Sequence, residues 1–124
     1  MAIRAFHILA GIVSLFLAFP AQAIELVMVE QPGCHYCELW NHEISDIYPK
    51  TEAGQHAPLR REQLRNPPDD LTYARPVLFT PTFIIIDNGK ELARLEGYPG
   101  EDFFWWHIET MLIQKTGLVI NRRD

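Results

Sequence analysis

The sequence Gln31-Pro32-Gly33-Cys34-His35-Tyr36-Cys37 follows an apolar run and contains both cysteines of the chain. The run before it, residues 24–30, is rich in aliphatic side chains and stops at the Pro-Gly pair, a pattern that predicts a β-strand followed by a loop. After the second cysteine, apolar residues recur at helical spacing until a proline, which predicts a helix over residues 34–48. Cys34 is therefore expected at the N-terminus of that helix.

The spacing of the two cysteines indicates their chemistry. A disulfide between residues three positions apart constrains little of the unfolded chain, so the pair favours redox chemistry or metal binding over a mainly structural role. Zinc remains an alternative, although a zinc site normally has a second ligand pair at a distance. Its ligands would be Cys34, His35, Cys37 and His42. A local structural disulfide is a second alternative.

The redox interpretation requires a thiolate, because an ordinary cysteine, with a pKa of about 8.5, is mostly protonated at neutral pH. At a helix N-terminus, unpaired backbone N–H groups and the positive end of the helix dipole stabilise negative sulfur at Cys34. Cys37, one turn further in, is expected to be more buried and to resolve the mixed disulfide. A protonated His35 would stabilise the thiolate further, whereas the carboxylates of Glu30 and Glu38 would oppose it.

The middle of the chain gives weaker signals. Residues 58–64 predict a second strand, although the alternation of apolar and polar side chains is weak there. After a proline-rich turn, Asp69 or Asp70 is expected to cap a short helix that ends before Pro76.

The C-terminal half predicts a hairpin and a helix. Residues 82–87 are typical of a strand buried on both faces, and Asp87-Asn88-Gly89-Lys90 predicts a tight turn into a strand over residues 91–96. A helix is expected over residues 101–115, with Gly117 as its left-handed cap. The order of elements predicts an α/β fold with a mixed central sheet and helices on both faces.

Four consecutive aromatic residues open this last helix, at positions 103–106. The helical spacing of Phe104, Ile108 and Leu112 predicts an apolar face, so most of these rings are expected in the core. They cannot all lie on one stripe, and an exposed Trp105 is expected to be available for a protein partner.

The N-terminal segment has the composition of a signal peptide. Arg4 precedes an uncharged apolar run over residues 8–19, which suits a signal core but is short for a membrane span of about 20 residues. Pro20-Ala21-Gln22-Ala23 offers small residues to a signal peptidase, so cleavage is expected after Ala23, with an uncleaved anchor as the alternative. Removing 23 of the 124 residues leaves 101, enough for one domain over residues 24–124.

The mature part is acidic. Removing Arg4 leaves 10 of the 11 basic residues against 16 acidic ones, a net charge of −6 at pH 7. The basic residues are scattered along the sequence, which argues against a nucleic-acid partner, because phosphate binding needs a clustered positive surface. Contact with a membrane is expected only through the signal peptide.

Thr80-Pro81 immediately precedes the buried strand, where a proline is allowed only at the strand start. A cis bond there would expose the backbone beside Pro81 to an incoming substrate strand, while an ordinary trans proline is the alternative. Thr80 and Pro81 are therefore candidate substrate-binding residues, together with Tyr36 between the cysteines.

These motifs carry a family resemblance. The segments Pro32-Gly33-Cys34-His35-Tyr36-Cys37 and Thr80-Pro81-Thr82-Phe83, with Gly97 after the last strand, resemble the thioredoxin superfamily over nearly the whole mature chain. The resemblance implies a thioredoxin-like fold in which Cys34 is the nucleophile, Cys37 the resolving thiol and Pro81 a cis-proline facing the pair.

Within that superfamily, the chain looks similar to the SoxS type of periplasmic thioredoxin, a family implicated in keeping the thiol of a sulfur-carrier protein reduced. The similar segments are residues 30–34, 48–51, 79–83 and 96–100. Two features depart from the thioredoxin pattern. Met28 stands where thioredoxins place a buried acid, so proton transfer to Cys37 needs another group, such as Glu30 or water. The His-Tyr dipeptide replaces Gly-Pro, which implies a less reducing potential.

The expected function is that of a periplasmic thiol-disulfide oxidoreductase that acts on partner proteins and receives electrons from a redox partner. We expect a monomer with no cofactor and no resident metal. The alternative is a non-catalytic thioredoxin-like binding module with a permanent disulfide, recognising its partner through Trp105 and the surface beside Pro81.

Overall fold

A computed structural model describes residues 23–121, so the first 22 residues of the expected signal peptide lie outside the described chain. A four-stranded sheet has the order β2-β1-β3-β4. The elements are β1 (Ile24–Glu30), α1 (His35–Glu43), a 3₁₀ turn (Tyr48–Lys50), α2 (Glu52–His56), β2 (Leu59–Gln63), β3 (Thr82–Asp87), β4 (Lys90–Glu96) and α3 (Glu101–Thr116).

The pairing of the strands confirms the predicted mixed sheet. β1 pairs in parallel with β2 and antiparallel with β3, and β3 pairs antiparallel with β4. Val29 lies opposite Thr82, and Thr82 lies opposite Glu96. The end of β1, the start of β3 and the end of β4 therefore share one end of the sheet.

The predicted hairpin between β3 and β4 is also confirmed. Asn88 and Gly89 have φ angles of 51° and 82°. Two consecutive residues in the left-handed region are what a tight type I′ turn requires, and Asn-Gly is the pair that adopts it at least cost.

One face of the sheet packs against all three helices. Leu26, Met28, Phe83 and Ile85 form a single core with buried side chains of α1, α2 and α3. Trp40, Phe83 and Phe104 form an aromatic cluster at its centre, with ring centroids 4.9 to 5.8 Å apart. Burial of these large rings is the main local source of stability.

The opposite face corrects the expectation of helices on both faces. Its core of Val27, Val29, Ile84 and Ile86 is covered by side chains from residues 64–77, and no helix of residues 23–121 contributes to it. The short helix predicted after Asp69 or Asp70 is absent, so that prediction is wrong. The N–H of Thr72 donates to the Gly89 carbonyl, and the Thr72 carbonyl accepts from the Glu91 N–H. The segment is therefore held beside the hairpin in an irregular path that contains turns and a bend.

Two helices differ from the prediction. α1 ends at Glu43, because Ser45 and Asp46 are poor helix formers and the chain turns there before the 3₁₀ turn. α2 was not predicted. It begins at the Thr51 cap, whose hydroxyl accepts from the Gly54 N–H at 3.0 Å. A Cβ at position 54 would lie 1.8 Å from the Tyr48 carbonyl oxygen, so only glycine fits.

α3 confirms the predicted last helix, which ends at Gly117 with φ 73° in the left-handed region. Phe104, Ile108 and Leu112 are buried as predicted. The expected exposure of Trp105 is wrong, because its ring is partly buried and stacks on Tyr48 at 6.0 Å. Phe103 and Trp106 are the exposed rings of this helix.

Candidate active site

Cys34 and Cys37 lie at the junction of β1 and α1 and are joined by a disulfide. Gly33, with φ 74°, turns the chain from strand to helix in a conformation that side-chain-bearing residues rarely adopt. Cys34 is the cap of α1, as predicted, and its sulfur accepts a hydrogen bond from the Cys37 N–H at 3.2 Å. The exposed fraction of Cys34 is 9% and that of Cys37 is 3%, so Cys34 is the more accessible residue of the pair.

The second part of the site is the loop before β3. The peptide bond between Thr80 and Pro81 is cis. Pro81 is buried, and its carbonyl accepts from the Gly97 N–H at 2.7 Å. The side-chain amide of Gln31 donates from Nε2 to the Thr80 hydroxyl oxygen at 2.8 Å. The loop that carries the cysteines is thus tied directly to the residue before the cis-proline.

Both loops of the site carry exposed side chains. His35 and Tyr36 are exposed and lie edge to face, with ring centroids 5.2 Å apart. On the other loop, Leu78 and Phe79 are 74% and 59% exposed. Exposed apolar side chains of this size on the loops of the site suit contact with a protein or peptide.

Arg61 belongs to the surroundings of the site and was missed in the sequence. It lies opposite Met28 in the parallel pairing, with Nη1 3.7 Å from the Met28 sulfur and 2.7 Å from the Glu30 carboxylate. Nη2 donates to the Asn41 side chain on α1 at 2.8 Å, and the guanidinium lies 5.5 Å from the centre of the Trp40 ring. The predicted strand over residues 58–64 contains this arginine. Parallel pairing of that strand with β1 places Arg61 beside Met28.

Comparison with known proteins gives the family. A family model described as a thioredoxin-like domain matches residues 21–112. The chain belongs to the thioredoxin-like family. No curated protein matches it significantly.

Solved structures agree with this thioredoxin-like assignment. The chain is similar to the reduced form of the periplasmic thioredoxin SoxS from Paracoccus pantotrophus, with 51% identity, a TM-score of 0.72, and coverage of 73% of this chain and 97% of that one. A thioredoxin from Malassezia sympodialis is 15% identical with a TM-score of 0.54, covers 73% and 78% of the two chains, and shows the fold alone. The predicted family and fold are confirmed.

The thioredoxin-like domain and its CxxC pair are consistent with a thiol-disulfide oxidoreductase. Within residues 23–121, no group of three or more His, Cys, Asp or Glu side chains is arranged to hold a metal ion. Across the same part of the chain, no helix is long and apolar enough to cross a membrane. The arrangement can form and open a disulfide at the start of α1.

The hydrogen bond between Gln31 and Thr80 gives a first testable expectation. Gln31→Leu should lower kcat/KM for a protein disulfide by about 3- to 10-fold, because the two loops that form the site lose their direct link, worth about 1 kcal/mol. Turnover of a protein disulfide measures the loss of kcat/KM, and urea unfolding measures the loss of about 1 kcal/mol of stability. Gln31→Glu is the matched control, since the Thr80 hydroxyl can donate to the new carboxylate. Wild-type kcat/KM in Gln31→Leu would contradict a positioning role.

Proposed function

We propose that this thioredoxin-like protein is a periplasmic oxidoreductase that reduces or exchanges disulfides on partner proteins through Cys34 and Cys37. The observation that carries the proposal is the position of Cys34, whose sulfur lies at the cap of α1 and faces the Cys37 N–H at 3.2 Å. When the disulfide is opened, that N–H and the helix dipole stabilise negative charge on the same sulfur.

The reaction has two displacement steps. In the reduced protein, the Cys34 thiolate attacks one sulfur of a substrate disulfide, and the other substrate sulfur leaves as a thiolate. The Cys37 thiolate then attacks the Cys34 sulfur, which releases the second substrate sulfur and leaves the Cys34–Cys37 disulfide. Two electrons pass to the substrate, and a dithiol partner must return them before the next cycle.

The other site residues take supporting roles in this proposal. His35 stabilises the Cys34 thiolate when it is protonated, and Tyr36 contacts the substrate. Thr80 and Pro81 present the loop along which a substrate strand lies. Glu30 is the candidate proton acceptor for Cys37, because it lies two residues beyond Met28 on the same strand face, where it accepts a hydrogen bond from Arg61 Nη1 at 2.7 Å.

The similarity to a periplasmic thioredoxin, which extends over most of the length of that thioredoxin, supports a periplasmic location. It also supports the substrate that the SoxS-type resemblance implies, a sulfur-carrier protein whose thiol must stay reduced. We propose that residues 1–23 form a signal peptide and that residues 24–124 form the mature thioredoxin-like domain. The mature protein is proposed to act as a monomer.

The catalytic proposal is tested by the reduction of insulin disulfides with dithiothreitol as electron source. Catalytic amounts of the mature protein should accelerate the reduction well above the rate with dithiothreitol alone. A rate no faster than that background would reject catalysis and favour the non-catalytic module.

Export is tested by the mass of the protein recovered from the periplasm of a bacterium that expresses the full chain. The expected mature chain begins at Ile24, because the small residues at positions 21 and 23 fit the signal peptidase. Ala23→Arg is the matched control, which should block cleavage. Recovery of the uncleaved chain in the membrane would identify an anchor instead.

A further inference from the structure

The sheet face that no described helix covers carries a cavity of about 430 Å³. Its apolar lining includes Val29, Leu64, Pro67 and Val77. Val29 lies two residues before Gln31 and pairs with Thr82, so the cavity is at the same end of the sheet as the cysteines. The cavity exists because residues 64–77 cross this face as an irregular segment instead of a helix.

The outer wall of the cavity is fixed by a buried ion pair. The Glu91 carboxylate and the Arg94 guanidinium are each 4% exposed and lie 2.5 Å apart. Glu91 accepts from the Ala74 N–H at 2.6 Å, and Arg94 donates to the Arg75 carbonyl at 2.8 Å. Residues 74 and 75 are therefore clamped to the sheet, which keeps the cavity open in the absence of an occupant.

The lining favours an uncharged and largely apolar group, because most of its side chains are apolar. The Tyr73 hydroxyl is shielded from solvent and has no hydrogen-bond partner among residues 23–121. Burial raises the pKa of this phenol, so it stays neutral. The charge at the mouth is already neutralised, because Arg75 pairs with Glu96 at 2.6 Å. An uncharged side chain fits this lining, while an ion would lose its hydration without gaining a partner.

The cavity wall leads directly to the reactive pair. Val77 is followed by the exposed Leu78 and Phe79, and then by Thr80 and the cis-proline. Three residues span at most about 10 Å, so a peptide lying along this loop reaches from the cavity to Thr80, which is hydrogen-bonded to Gln31 on the loop that carries the cysteines. Continuity with the reactive site identifies the occupant as the protein that the site acts on.

We propose that this cavity is a specificity subsite, which takes up one large apolar side chain of the substrate segment that carries the reacting disulfide. The inference rests on the proposed oxidoreductase function and adds the substrate feature that the enzyme recognises. Burial of a Leu or Phe side chain in such a pocket is worth about 10- to 100-fold in kcat/KM.

The test uses cysteine peptides carrying a mixed disulfide with thionitrobenzoate, in which one flanking position at a time is Leu, Phe or Gly. The mature wild-type protein should prefer Leu or Phe over Gly at one position by about 10-fold or more. Ala74→Trp places a ring in the cavity from its exposed wall and should abolish that preference. Gln114→Trp, on the exposed surface of α3, is the matched control and should keep it.

A small disulfide, bis(2-hydroxyethyl) disulfide, separates the two proposals. Its exchange rate should be the same in wild type and in Ala74→Trp, because it does not reach the cavity. If wild type exchanges the small disulfide but shows no apolar preference, or if Ala74→Trp keeps the preference, the subsite is overturned and the proposed function stands. If wild type exchanges neither the small disulfide nor the peptides, the proposed function is rejected, and the subsite is rejected with it.

Three further experiments complete the test. Gln63→Trp fills the cavity from the end of β2 and replaces Ala74→Trp if that variant does not fold, as judged by its thermal unfolding. A free apolar compound that binds the cavity without competing with the Leu or Phe peptide would overturn the substrate as its occupant. Concentration-dependent dimerisation that Ala74→Trp removes would identify a second copy instead.

Discussion

Replacing Cys34 with serine is expected to lower disulfide exchange by about 10³-fold or more, because a hydroxyl cannot attack the substrate disulfide and cannot form the mixed disulfide that Cys37 resolves. Replacing Cys37 with serine should lower turnover to a similar extent but leave the first step intact. Cys34 then attacks the substrate, and no thiol is present to release it. The expected product is a stable mixed disulfide between Cys34 and the substrate, visible as an adduct by non-reducing mass spectrometry.

The double variant Cys34→Ser/Cys37→Ser is the control, and it should form no adduct. Circular dichroism and thermal unfolding check that each variant folds. Equal trapping by Cys34→Ser would assign the nucleophile to Cys37, against its 3% exposure. Absence of an adduct from both single variants, with unchanged binding of the substrate, would favour a binding module over an enzyme.

The elements predicted correctly from the sequence are those whose signals are local. β1 stops at Pro32-Gly33, the hairpin turn is determined by Asn88-Gly89, and α3 ends at Gly117. Each of these positions requires a backbone conformation that few residue types adopt, so two or three residues are enough to predict where the element ends. The residues between Leu64 and the cis-proline carry no comparable local signal.

That middle segment is determined by distant residues. Its path depends on the hydrogen bonds of Thr72 with the hairpin and on the clamp of Glu91 and Arg94, which come about 20 residues later. One of the two aspartates that suggest a helix cap has another partner, because Arg60 donates two hydrogen bonds to the Asp70 carboxylate. Tertiary contacts override a weak local preference in this region.

In the candidate site, too, local sequence signals predict one part and distant contacts determine the other. The position of Cys34 at the start of α1 follows from strand, turn and helix signals within about a dozen residues. The contact of Arg61 with Met28 and Glu30 needs the register of β1 against β2, which a weakly alternating strand does not determine. Among the four aromatic residues at positions 103–106, Phe104 is buried as predicted, but the exposed tryptophan is Trp106 instead of Trp105, because either of two neighbouring helical stripes accommodates most of the rings.

Arg94→Leu should lower the free energy of unfolding by about 3 to 5 kcal/mol, a large part of the 5 to 15 kcal/mol typical of a domain. The substitution leaves the Glu91 carboxylate buried without its partner. Urea unfolding at pH 7 measures the effect. The double variant Glu91→Leu/Arg94→Leu should cost much less than the sum of the single changes, because the released backbone groups of residues 74–76 are exposed and can bind water.

The same pair predicts a dependence on pH. Burial favours a higher pKa for Glu91, but hydrogen bonds from Arg94 and from the Ala74 N–H outweigh it and hold the pKa below its ordinary value. The pair's contribution to stability is therefore complete above pH of about 4.5 and is lost as the pH falls through the folded-state pKa. In Arg94→Leu, protonation instead relieves the buried charge. The stability difference between wild type and Arg94→Leu should thus shrink below pH 5, and a constant difference down to pH 3 would show that lost packing, not an unpaired carboxylate, causes the destabilisation.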